Sequence, residues 1–460
     1  MKTFDQEDGF AMITAILVSL VVLSLSLVVF NLAVHNSNQS AFDRDRVQAI
    51  HAAEAGLDNY LSALVTNPTP PCNSTLDLGS TPVQHYDVEI LLYSTWPPTG
   101  PGECPLLSGE PEGALVTAKG SALGGAEGAA RSMETAVRLT PIYGGLNQAI
   151  FSNDQLNLQN KLDVNGNIGN DGDVYTNGNF ALQNNTVISG TVYAQGYASI
   201  NQGVVKKDVW ANDYVDLRSI SVLGNVTSST SSITLQNAHV YGDAKAGTTI
   251  AVGSSSRIDG DRTPNSPSGP PPQVPLPEVP YVQQKWIDEG YTINNFASCA
   301  LAKAFINLGP PGNHVVRVSP TCALSWGNNS TVNLRGNMAI ITDGSFTTQN
   351  RTEWNGVGDK HTLFIIRPYQ SGLPCSPTPS PYDHSVSNNT SFNNLQVFVY
   401  SQCTINFGNN NSGGFDGQII GGQVNVTNQM VLNFKPITVP GFNRIGFRSD
   451  VSYLREIPAN

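Results

Sequence analysis

At 460 residues the chain has room for two or three domains. Only 13% of it is charged and Gly numbers 43, which favours a turn-rich, all-β body over a helical enzyme. A net charge of −11 argues against nucleic acid as a partner, because that binding depends on clustered Lys and Arg.

The first element is an apolar run, Phe10 to Val34, without Asp, Glu, Lys, Arg or His; Thr14, Ser19, Ser24, Ser26 and Asn31 are its only polar residues. That is enough helix to cross a bilayer core, which takes about 20 residues, and Ser and Thr can bond back to helix carbonyls. Val47, Ile50, Leu57, Leu61 and Leu64 follow at helical spacing. The spacing therefore predicts one unbroken transmembrane and amphipathic helix over 10–67, ended by Pro68. A cleaved secretory signal would have a shorter apolar part, a basic front and a small-residue end.

The order Glu7-Asp8-Gly9-Phe10, an apolar run, then His51-Ala-Ala-Glu54-Ala-Gly56-Leu57 resembles the N-terminus of type IV prepilins, and most of all the PilX-type minor pilins. The resemblance implies a leader over 1–9, cut by a prepilin peptidase between Gly9 and Phe10. It implies an assembly helix carrying Thr14, Glu54, Gly56 and Leu57, which anchors in the membrane and then packs against other pilin-like subunits. The chain departs from major pilins at the fifth residue after the cut, Thr14, where they carry a glutamate, and its leader is acidic. Glu54 is either solvated or paired in the filament, and a plain signal anchor is the rival reading.

Residues 68–143 hold strand-like runs at 86–93, 114–120 and 133–139, predicting a small pilin-like α+β unit. Trp96, among prolines, reads as a loop plug. The module 144–263 is periodic. Gly172 and Gly190, then Gly224, Gly242 and Gly260, recur at 18 within each set, heading units such as Gly-Asp-Val-Tyr-Thr and Gly-Thr-Val-Tyr-Ala. Three apolar segments per unit with Gly, Asn and Asp at the corners predict stacked coils of a right-handed β-helix, about six of them. This pattern is similar to bactofilin-type β-helices. Residues 206–221, with Trp210 and Tyr214, read as a break in the repeat. Pro-rich 264–280 is either a stiff linker or a loop lying on the solenoid. A second β-helical module is expected over 281–460, with a short helix at 297–306.

All six cysteines follow the apolar helix, which suits an exported compartment. Sequential pairing, Cys72–Cys104, Cys299–Cys322 and Cys375–Cys403, is the expectation among 15 connectivities. No G-x-S-x-G, H-E-x-x-H, P-loop or Rossmann fingerprint occurs, and the histidines lack metal-like spacing, so no cofactor is expected. Corner residues Asp173, Asp243 and Asp261, with Asp171 beside them, would stack about 4.8 Å apart and offer oxygen ligands to calcium, although corner Asp more often forms turns. Stacked carboxylates bear on a rival class as well, since β-helix folds include polysaccharide lyases and hydrolases, but acid–base chemistry on a sugar needs an acid and a base across the ring, and few Lys or Arg accompany the Asp corners. Tyr175, Tyr193 and Tyr241 point outward if the preceding residues point in, as a structural ladder or as an adhesin's contact with a surface glycan or host ligand. The sequence thus predicts a non-enzymatic, single-pass membrane protein with an exported body that reaches a pilus or the cell surface.

Overall fold

The computed structural model describes residues 7–67, 69–78, 84–106, 111–122, 130–143, 146–166, 171–319, 322–375, 380–408, 414–442 and 444–458. Residues 1–6 of the expected leader lie outside them. The chain forms two compact units, residues 1–142 with 445–460, and residues 143–444.

The first unit is built on α1, Glu7–Thr66, about 90 Å long at 1.5 Å per residue. Its first half is apolar on every side. An 18-residue window reaches a mean hydropathy of 2.8 with none of it buried, and the Ser24 and Ser26 hydroxyls donate back to the carbonyls of Val21 and Val22. Its second half turns one face inward: Ala49, Ala53, Leu57, Tyr60 and Leu64, spaced three or four apart, are buried. They pack on an antiparallel sheet of β1 (Asn73–Leu78), β2 (Gln84–Tyr93), β3 (Gly113–Ala122) and β4 (Arg131–Tyr143).

A fifth strand, Arg444–Ile457, lies beside β4. The Thr135 hydroxyl donates to the Tyr453 carbonyl at 2.6 Å, and Glu134 accepts from the Tyr453 hydroxyl and from Arg455. This strand, expected in the C-terminal β module, belongs to the first sheet instead. Its partner lies more than 300 residues earlier, beyond the reach of local pattern. The solenoid is therefore an insertion between two strands of the first sheet.

The second unit is a β-solenoid of about 13 turns. Its coils do not follow chain order. The chain enters at Ile150, in the seventh coil of the stack, and builds upward through Val174, Val192, Val209, Val226, Ala244 and Arg262. It then returns along the outside and starts again at the far end with Thr292–Phe296. From there it climbs through His314–Val318, Met338–Thr342, His361–Ile366, Leu395–Phe407 and Phe415–Val426. The last of these docks beneath the first coil made, Ile419 opposite Ile150 and Val424 opposite Leu156. Regions 144–263 and 281–444 thus form one stack, joined by pairing between residues far apart in sequence.

The inward column Ile419, Ile150, Val174, Val192, Val209, Val226, Ala244 is fully buried. Residues 206–221, expected as a break, are an ordinary part of the stack: Val209 pairs with both Val192 and Val226 at steps of 17 instead of 18. Near the starting end of the lower half, α2 (Cys299–Leu308) buries Ala302 and Ile306 in the core. It ends at Gly309, whose φ of 57° is left-handed.

The Pro-rich segment is a strap against the solenoid. Gly269, Pro271, Pro272, Val274 and Pro277 offer carbonyls to Ser229, Gln195, Tyr175, Asn177 and Tyr400 respectively. Returning over about twelve coil steps of ~4.8 Å takes roughly 58 Å. An extended polyproline chain gains ~3.1 Å per residue, so the residues between Thr263 and Thr292 are enough. Proline keeps them extended and removes N–H groups that would otherwise need partners.

Candidate functional site

The expected assembly helix is α1. Gly9 and Phe10 lie within it. Thr14 belongs to its exposed apolar half. Gly56 and Leu57 instead serve the fold. A Cβ at Gly56 would stand 2.9 Å from the Tyr86 ring, and Leu57 is 3% exposed in the core beneath the sheet. The closest approach is at Gly120 of β3, where a Cβ would meet the Ala49 carbonyl oxygen at 2.0 Å. The run of small residues Ala52-Ala53 and Gly56 thus lets a sheet lie nearly on the helix backbone. Glu54 points away from that face and pairs with His51 at 3.2 Å, one turn earlier.

The three disulfides join Cys72 to Cys104, Cys299 to Cys322 and Cys375 to Cys403. The second pins α2 to the solenoid's starting end. The third ties 375 to the fifth coil, beside the buried pair Arg367 and His384. His384 is wholly buried, and its Nδ1 accepts the Phe346 N–H at 3.2 Å. Burial pushes its pKa down to about 3, and the Arg367 charge adds to this. Arg367 itself is 1% exposed with its guanidinium over the Tyr382 ring at 4.6 Å, and burial lowers its pKa. Neither residue carried a sequence signal.

The corner aspartates form a ladder. Asp208 Oδ1 accepts the N–H of Asn225, Asn225 Oδ1 that of Asp243, and Asp243 Oδ1 that of Asp261 at 2.8 Å. Asp173 likewise accepts from Thr191. Each bond crosses the bare Cα of the glycine preceding the donor. A Cβ at Gly190, Gly224, Gly242 or Gly260 would stand 2.3–2.5 Å from the Oδ1 below. This explains the glycine repeat and its one interruption. Lys207 occupies the glycine position in the coil above Thr191, whose side chain offers no such Oδ1, and it reaches down to Asp171. The four aspartates proposed for calcium are therefore distributed between ladder and ion pair. Among the described residues no group of three or more acidic, His or Cys side chains is placed to hold a metal.

The outward aromatics stack as Phe151, Tyr175, Tyr193 and Trp210, with ring centroids 5.5, 6.0 and 6.4 Å apart. The strap covers part of this row: Tyr175 is 2% exposed and donates its hydroxyl to the strap. Tyr241 stands apart, 48% exposed and stacked on His239 at 3.9 Å. His239 also contacts Asp259 at 3.0 Å, and Arg257 closes on the same carboxylate. Beside them, Ser219, Ser221, Asn237, His239, Ser255 and Arg257 line an open polar hollow of about 300 Å³. Sequence reading missed it because its residues lie 18 apart in three coils and match no motif.

The chain is thus a mainly β protein with a long apolar N-terminal helix and a β-solenoid body. No protein family and no curated protein matches its sequence. Among solved structures it is similar to the competence-associated pilin ComZ from Thermus thermophilus, at 12% identity and a TM-score of 0.31, over 90% of this chain and 97% of that one. It is also similar to a possible adhesin C-terminal domain from Caldicellulosiruptor kronotskyensis, at 13% identity and a TM-score of 0.27, over 65% and 94%.

Proposed function

We propose that this protein is a non-enzymatic, single-pass surface protein of the minor pilin kind, which primes, decorates or tips a type IV pilus or related filament. The observation that carries the reading is the division of α1. Its second half is committed to a sheet, while the first is apolar on every side and, among the described residues, is covered by none. Such a surface is stable only in lipid or against other helices of the same kind. The protein would occupy both in turn, first as a membrane anchor and then among pilin-like subunits. Three disulfides on the far side of the helix support export of the body.

In this reading a prepilin peptidase, as with PilX-type proteins, cuts between Gly9 and Phe10 before assembly. N-terminal sequencing of the mature protein tests it. A chain beginning at Phe10, recovered with sheared filaments, is the expected result; a chain beginning at Met1 that stays in the membrane fraction overturns it. The second reading is a signal-anchored adhesin or glycan-binding module without a filament, and the polar hollow beside Tyr241 favours it.

A further inference from the structure

On most of the solenoid, corner side chains are used by the next coil. The Asx ladder is one case. Another is the asparagine row in which Asn428 donates to Asn388, Asn160 to Asn428 and Asn184 to Asn160. The hollow near the Thr263 end is different. Ser221, His239 and Arg257 stand in register on three successive coils, with Ser219, Asn237 and Ser255 one residue pair away. Asn237 gives one amide hydrogen to Ser219. The hydroxyls of Ser221 and Ser255 have no partner among the described residues, and Arg257 engages Asp259 through Nε, leaving both Nη groups over. The result is a shallow site with spare donors and acceptors, repeated at the coil step of about 4.8 Å, the scale of a sugar ring. The stacked rings of His239 and Tyr241 lie alongside, an apolar surface for sugar C–H groups.

We propose that this hollow binds a short neutral pyranose oligosaccharide lying across the three coils, which rests on the glycan-binding reading of the body. Charge decides against a phosphate or a nucleotide, since the Asp259 carboxylate already neutralises Arg257 and also contacts His239. A cluster of hydroxyl, amide and guanidinium groups around uncharged space suits a ligand that is itself a row of hydroxyls.

The test is calorimetric titration of the full-length protein in lipid nanodiscs, free of sugar-headed detergent, with maltohexaose, cellohexaose and chitohexaose. The expected result is saturable one-to-one binding of at least one hexamer, weakened tenfold or more by Arg257→Ala and by His239→Ala while Tm stays unchanged. Binding of none of the three, or binding that both variants retain, overturns the proposal. Adhesion of intact cells separates it from the broader reading. Glycan-inhibited adhesion that both variants retain sinks the hollow and keeps the adhesin, whereas hexamer binding without any adhesion does the reverse.

Discussion

The side chain of Asp243 accepts the backbone N–H of Asp261 at 2.8 Å, passing over Gly260, where a Cβ would lie 2.3 Å from the accepting oxygen. Acceptor and glycine are thus one device, repeated wherever an Asx lies beneath. Gly242→Ala should lower Tm by several degrees, because Asn225 Oδ1 and the Gly224 carbonyl both occupy the space. Lys207→Ala, at the equivalent position that already carries a side chain, should change Tm little. Equal effects in thermal melts would remove the steric account.

The same ladder separates a structural aspartate from a metal ligand. Asp243→Asn keeps an acceptor oxygen and should leave stability within about 0.5 kcal/mol, whereas Asp243→Ala should cost about 1 kcal/mol, the worth of one hydrogen bond. If calcium sat on these corners, chelation would lower Tm and Asp243→Asn would abolish that response. Melts of all three proteins with and without EDTA decide.

Gly120 sets the distance between α1 and its sheet. Gly120→Val places branched carbon where the Ala49 carbonyl and Ala53 nitrogen now stand, so the sheet must shift bodily. The expected cost is about 3 kcal/mol, at the upper end for overpacking, with faster proteolysis of residues 84–122. A melt indistinguishable from the parent would show that the close approach is dispensable.

His384 makes stability fall with acid. Its pKa is about 3 folded against 6.5 as the reference value, so between those values the unfolded chain takes up a proton that the folded chain refuses. This contribution is complete above pH 6.5. It declines by up to about 1.4 kcal/mol per pH unit as pH drops and levels off below pH 3. His384→Asn keeps an acceptor for Phe346 N–H and does not titrate. Denaturant unfolding from pH 7 to 4 should give a shallower slope for it; parallel slopes would refute the assignment.

Two of the strap's five side-chain anchors are tyrosine hydroxyls. Tyr175→Phe and Tyr400→Phe each remove a bond to a proline carbonyl, at about 1 kcal/mol apiece. Limited proteolysis should then cut 264–280 sooner in the double variant than in the parent. Unchanged cleavage would mean that other contacts hold the strap.

Much of this was legible because the cause was local. Helical spacing marked α1 to within three residues at either end, and the glycine recurrence marked a solenoid because each upper coil that lies on an Asx side chain meets the same steric demand. The 206–221 stretch misled because the marker was glycine, and Lys207 can replace glycine where Thr191 lies below. The strap could not be told from a free linker, since the groups that receive it, Gln195, Tyr175 and Tyr400, come from distant coils. The C-terminal strand and the seam between sixth and seventh coils were invisible for the same reason: their partners are hundreds of residues away. At the hollow, Ser221, His239 and Arg257 become neighbours only through coil register.

The seam has an outcome for synthesis. Contacts there span 272 residues, as between Gln418 and Leu146, so the upper coils can stack long before their underside is covered. A polypeptide cut short ahead of residue 415 would display that underside as a bare parallel edge, open to neighbours from other chains. Completion of the body and protection from aggregation are therefore a single event, and it waits for the final coil.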